Sequence, residues 1–100
     1  MELKTVKKPG EVIVHLIGRL DTPSSLEIAK DVEELKKEAS GVIILDCTEL
    51  SYISSSGLRI FLTLRKEAAI MGGKVIVRNI CSEIRNVFMM TGFLNLFEIQ

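Results

Sequence analysis

Three consecutive serines, Ser54-Ser55-Ser56, followed by Gly57-Leu58, are the side chains of this chain best placed to do chemistry. They lie between a polar stretch that begins at Asp46 and an apolar helical run, so they fall just before or at a helix N-terminus. There the first backbone N–H groups lack partners and the dipole favours negative charge. One serine, expected to be Ser56, is accounted for as an N-cap. Three in a row are not. The sharper reading is that one hydroxyl is exposed and accepts a phosphate, which a helix N-terminus holds well.

Other chemistries find less support. There is no G-x-x-x-x-G-K-[ST] loop and no G-x-G-x-x-G turn. Gly72-Gly73-Lys74 ends a helix and does not open one. Ser55-Ser56-Gly57 is not a G-x-S-x-G elbow. The only histidine, His15, sits in the alternating run Val12 to Ile17, a strand pattern, on a face with Ile13 and Ile17. It reads as a packing or surface residue. A serine hydrolase would need it beside Ser55 or Ser56, and loss of ester hydrolysis in His15→Ala would revive that class. Cys47 and Cys81 form no C-x-x-C pair, and with one histidine they are too few for a usual zinc site. They read as small buried hydrophobes. No catalytic residue, metal or cofactor is expected. Asp21 and Asp46 both stand near strand ends, where a meeting of the two would pair carboxylates, although solvated caps are the plainer reading of each.

The elements that must position the serines are legible from periodicity. The chain has 100 residues, room for one domain spanning 1–100. Apolar residues are 47% and charged residues 26%, which excludes disorder as the dominant state. Thirteen basic residues balance thirteen acidic ones, which argues against nucleic acid as the main partner. The longest uncharged stretch, between Arg85 and Glu98, is too short for a bilayer span of roughly 20 apolar residues. Met1-Glu2-Leu3-Lys4 lacks the apolar run of a signal peptide. No membrane contact and a cytoplasmic location are the expectations.

Leu3–Lys8 and Glu11–Leu20 form a hairpin about Pro9-Gly10. A helix starts at Pro23, with Thr22 as cap, and runs to about Ala39, presenting Leu26, Ala29, Val32, Leu35 and Ala39. Val42–Leu45 is a short strand buried on both faces, and Asp46 to Ser54 is a polar loop. Helices follow at 56–71 and at 82–91, the latter with Ser82 as its expected cap, separated by a strand at 74–78, and Leu94–Ile99 closes with a short strand. This alternation is βαβ grammar. The helix at 56–71 carries Leu58, Ile60, Phe61, Leu62, Leu64, Ala68, Ala69 and Met71, an arc of about 200°. Either a neighbouring helix covers the excess or part of it is a docking surface beside the serines. Arg59, Thr63 and Lys66 fall on the opposite face.

Gly18-Arg19-Leu20-Asp21, Val42-Ile43-Ile44-Leu45-Asp46, Ile53-Ser54-Ser55-Ser56-Gly57-Leu58, Gly72-Gly73-Lys74-Val75, Ile84-Arg85-Asn86-Val87-Phe88 and Thr91-Gly92 occur in an order and spacing that resemble a STAS domain of the anti-sigma factor antagonist family, nearly end to end. The resemblance implies an α/β fold, a four- to five-stranded mixed sheet with three to four helices mainly on one face. It implies a non-enzymatic partner switch. The unmodified domain binds an anti-sigma factor that is often a serine kinase of the histidine-kinase-like ATPase type. That frees a sigma factor. The kinase phosphorylates the first serine of a D-S-S-G segment, here Ser55, and a PP2C-type phosphatase reverses it. Asp21, Ser54, Ser56, Gly57 and Arg59 are then the expected partner-binding residues. A STAS subunit of a stress-signalling or lipid-transport assembly is the alternative within the fold, and a nucleotide-binding module is a further one. The chain departs from the family pattern at Ser54, where the family has aspartate, and at Cys81-Ser82, where it has proline.

Overall fold

The chain turns first at Pro9-Gly10, where Gly10 takes φ 74°, a conformation that costs a residue without Cβ little. This computed structural model describes residues 1–100. The turn closes an antiparallel hairpin between β1 (Glu2–Lys8) and β2 (Glu11–Leu20), with Lys8 opposite Glu11. The later strands are β3 (Val42–Ile53), β4 (Lys74–Arg78) and β5 (Glu98–Ile99). Each pairs parallel with its predecessor, giving the strand order β1-β2-β3-β4-β5. Every parallel connection carries helix: α1 (Thr22–Glu27) and α2 (Ala29–Lys36), then α3 (Ser55–Met71), then α4 (Ser82–Thr91) with a 3-10 turn, Phe93–Asn95.

The helices share one face of the sheet. Val12, Val14, Leu16, Ile43, Leu45, Val75 and Val77 form one core with Ile28, Val32, Leu35, Leu58, Phe61, Leu64, Ala68, Ile84 and Phe88. The alternation of strand side chains sends the intervening residues the other way. Ile44 and Ile76 are buried outside that core, on the helix-free face, in register with Ile13. At the far end Phe61, Phe88, Phe93 and Phe97 meet edge-on or tilted, with centroids 6.0–6.4 Å apart.

Four expectations change. The helix expected over 23–39 is two helices, broken at Ile28 (φ −95°, ψ 8°). The break shifts the buried stripe to Ile28, Val32, Leu35 and Ala39, and Leu26 and Ala29 face outward, Leu26 at 76% exposure. Thr22 does not cap this segment: Asp21 does, and Thr22 is the first helical residue. The polar segment after Leu45 is not a loop. β3 continues to Ile53, paired with β2 alone once β4 ends opposite Asp46. Two irregularities in the pairing, His15↔Asp46 to Ile17↔Glu49 and Gly18↔Leu50 to Arg19↔Tyr52, each give β3 one extra residue. Such bulges bend a strand and re-aim its side chains. α4, in turn, is capped at Cys81 and not at Ser82.

Candidate functional site

The site is assembled where β2 and β3 end together. Leu20 is opposite Ile53, and the Ser54 backbone N–H donates to the Leu20 carbonyl at 2.8 Å. The turn into α1 and the turn into α3 are therefore neighbours, as parallel topology requires at the carboxyl ends of adjacent strands.

In the first turn, Asp21 is the cap. Its Oδ1 accepts from the Ser24 backbone N–H at 3.1 Å and from the Ser24 hydroxyl at 2.8 Å, while the Asp21 N–H donates to Ser24 Oγ at 2.8 Å. This is a reciprocal capping box with serine in the usual Glu position. Ser24 is the one buried polar residue of the chain, and its Oγ also lies 2.8 Å from the Arg19 carbonyl. The Ser24 backbone N–H, then its hydroxyl, hold the Asp21 carboxyl below its usual 3.8.

In the second turn, Ser54 is the cap, with extended backbone and Oγ accepting from the Gly57 N–H at 3.2 Å. The expected cap, Ser56, is instead the second residue of α3. Three serines are equivalent by residue type, and the backbone geometry selects the one in extended conformation. Ser56 Oγ lies 3.2 Å from Thr22 Oγ1, which joins the two helix starts. Ser55 is the first residue of α3, exposed, and its hydroxyl makes no hydrogen bond. Gly57 explains how tightly the helix seats. A Cβ there would lie 2.7 Å from Leu20 Cγ and 2.8 Å from Ile53 Cγ1, so only glycine lets α3 begin directly on the two strand ends. Arg59 is exposed one turn on, as are Thr63 and Lys66. α1 and α2 pack on α3, so neighbouring helices cover part of its wide apolar arc, and Ile70, 80% exposed, lies at its far end.

Two residues that the sequence did not single out border this site from the helix-free side. Arg19 and Tyr52 are opposite one another across β2 and β3, and the guanidinium lies 4.2 Å above the ring. A basic and an aromatic residue in register beside a turn signal this contact, but the register depends on the bulges.

Asp46 does not join Asp21. It lies earlier on β3, where His15 Nδ1 is 3.3 Å from its Oδ2. Its Oδ1 accepts from the Thr48 N–H at 3.0 Å, from the Thr48 hydroxyl at 2.6 Å and from Asn79 Nδ2 at 3.4 Å. Partial burial pushes the Asp46 carboxyl up, but the Thr48 and Asn79 hydrogen bonds and the neighbouring His15 outweigh it, and the net direction is down. His15 therefore orients toward Asp46 and not toward the serines, and no Ser–His pair is assembled. Cys47 is buried, and burial, then the Asp46 charge and Cys81, raise its thiol to about 12. Cys81 is exposed, contrary to the buried reading. The chain brings together no group of three or more His, Cys, Asp or Glu able to hold a metal. No helix is long and apolar enough to cross a membrane.

Comparison with known proteins agrees with this architecture. The profile of the STAS domain matches residues 2–100. A protein of Bordetella bronchiseptica bearing the name anti-sigma factor antagonist BtrV is 27% identical over 99 residues, which are 99% of this chain and 85% of that protein. Among solved structures, a Thermotoga maritima protein bearing the name anti-sigma factor antagonist superposes with TM-score 0.87 at 18% identity, over 97% of this chain and 84% of that one. The Bacillus cell fate determinant SpoIIAA in its phosphorylated form gives TM-score 0.75 at 22% identity, over 99% and 91%. At these identities the structural likeness is one of fold.

Proposed function

The chain belongs to the STAS domain family, and from that premise we propose that it is an anti-sigma factor antagonist switched by phosphorylation of Ser55. Unmodified, it binds an anti-sigma factor that is itself a serine kinase of the histidine-kinase-like ATPase type, and so frees a sigma factor in the cytoplasm. The kinase transfers the γ-phosphoryl of ATP to Ser55 Oγ: the new O–P bond forms, ADP leaves and the hydroxyl proton is lost. A PP2C-type phosphatase reverses the change. The domain itself catalyses nothing.

One observation supports this reading above the others. Of the three serines, Ser54 caps the helix, Ser56 meets Thr22, and Ser55 alone is exposed with an unengaged hydroxyl. Asp21, Ser54, Ser56, Gly57 and Arg59 surround it as the docking face. A phosphate there adds about −1.5 to −2 charge. Its cost falls at the interface, where a hydrated dianion must be desolvated or meet acidic groups. A loss of about 3 kcal/mol lowers affinity more than a hundredfold.

The test is incubation with the cognate kinase and ATP, peptide mapping, and titration of each form against the kinase. Phosphate on Ser55, constitutive binding by Ser55→Ala and weak binding by Ser55→Asp are expected. Phosphate on Ser54 or Ser56 only, or full phosphorylation of Ser55→Ala, overturns the assignment.

A further inference from the structure

Resting on Ser55 as the phosphoacceptor, we propose that Arg59 is the intramolecular partner of the phosphate. The modified side chain draws the Arg59 guanidinium onto itself, so one event adds an anion to the docking face and withdraws a cation from it.

Ser55 and Arg59 are both exposed on α3 and are separated by four positions. Such residues share a helix face, with Cβ atoms roughly 5–6 Å apart, and an acidic group N-terminal to a basic one is the favourable order. Long helical side chains lean toward the helix N-terminus, which lays Arg59 over the turn that Ser55 begins. The guanidinium fork matches phosphate oxygens in pairs.

The spacing is selective among the serines. Four residues after Ser54 stands Leu58, and four after Ser56 stands Ile60. Ser55 alone has a cation four positions on; Ser56 stands three positions before Arg59, but its Oγ is turned to Thr22. That cation is also free. Arg19 stacks on Tyr52, Arg65 donates to the Leu96 carbonyl and Arg78 to Gln100. The ion pairs use Lys7, His15, Lys36, Lys37 and Lys74. Arg59 enters none of these contacts. α1 and α2 pack on α3, and the charged groups they bring to it are Asp21, held by Ser24, and Glu33 and Lys36, paired with each other beside Ile60 and Thr63.

The experiment installs phosphoserine at position 55 of the full chain during translation, so that no kinase is needed, and titrates the phosphate by phosphorus NMR. The free phosphate loses its second proton near about pH 6. In the otherwise native chain that value is expected below the one in Arg59→Ala by about half a unit, as suits an exposed opposite charge. Arg59→Lys is expected to fall between them, because it keeps the charge and loses the fork. Arg85→Ala, which removes an exposed arginine of α4, is expected to leave the value unchanged. Added salt narrows the difference. Equal values in the native chain and Arg59→Ala overturn the pairing. Because the phosphoserine is placed directly, that failure is separate from a kinase that modifies another serine, which overturns the functional reading alone.

Discussion

Thr22 Oγ1 and Ser56 Oγ lie 3.2 Å apart although 34 positions separate them in the chain. The contact couples the first turn of α1 to the first turn of α3, so the two strand-to-helix turns act as one surface. It is exposed and neutral, which limits its energy to about 0.5–1 kcal/mol. Ser56→Ala is expected to lower the urea midpoint only slightly and to leave phosphorylation of Ser55 intact. Abolished phosphorylation in that variant would show that Ser56 does more than join two turns.

The cap at Ser54 gives a clear ordering. Ser54→Ala removes the acceptor of the Gly57 N–H and is expected to cost about 1 kcal/mol. Ser54→Asp restores the residue type that the family resemblance expects, keeps the acceptor and adds a negative charge at the helix N-terminus, worth about 0.3–1 kcal/mol. Equilibrium urea unfolding should rank Asp at or above Ser, and both above Ala. An Ala variant as stable as the native chain would remove the capping role.

Gly57→Ala opposes two effects. Alanine gains about 1 kcal/mol of helix propensity. The added Cβ, however, falls 2.7 Å from Leu20 Cγ, an inner atom that cannot swing away. Overpacking of that kind costs about 1–3 kcal/mol. A net loss of stability is expected, with Ser55 displaced and its phosphorylation slowed. A more stable variant would mean that α3 seats less tightly on Leu20 and Ile53.

Asp21 predicts a pH dependence. Its folded carboxyl titrates below the usual 3.8 because the Ser24 N–H, and then the Ser24 hydroxyl, stabilise the anion. A lowered folded value means stability that is present above the unfolded value and lost as pH falls through the folded one. Asp21→Asn keeps a capping oxygen but no charge. It should therefore be less stable than the native chain at neutral pH, and the gap should close as urea midpoints are taken below about pH 3.8. A gap that persists at low pH would point to packing and not charge.

Arg59 also bears on binding of the unmodified form. Arg59→Glu should slow association with an acidic partner surface, roughly tenfold at low salt, with little change in stability for an exposed site. Stopped-flow association at two ionic strengths measures it. An unchanged rate would place the docking face elsewhere.

The strand cores were legible because Val42–Leu45 and Val75–Val77 are apolar runs too short to be helices. The length of β3 was not. Its buried residues after Leu45 are Cys47, Leu50 and Ile53, and that spacing departs from the period of two where the bulges add residues. Leu26 and Ala29 mimicked a single long helix because they fall at helical intervals with Val32, while the turn at Ile28 resets the phase. At the site, the serine cluster, Asp21 and Arg59 were visible as residue types at a strand-to-helix boundary. Which serine caps, which meets Thr22 and which stays free depends on where the backbone turns, and residue type carries no record of that.

The strand order matches the chain order throughout. Each strand therefore adds to an edge already formed, and none must be threaded between two that are paired. During synthesis the hairpin of β1 and β2 is complete before β3 leaves the ribosome, and each later strand finds its template waiting. A nascent chain stalled before β4 would present β3 as a bare edge, the form most open to wrong pairing. Completion of β4 covers that edge from Val42 to Asp46, and the two-residue β5 leaves only a short ladder beyond β4 for another chain to extend.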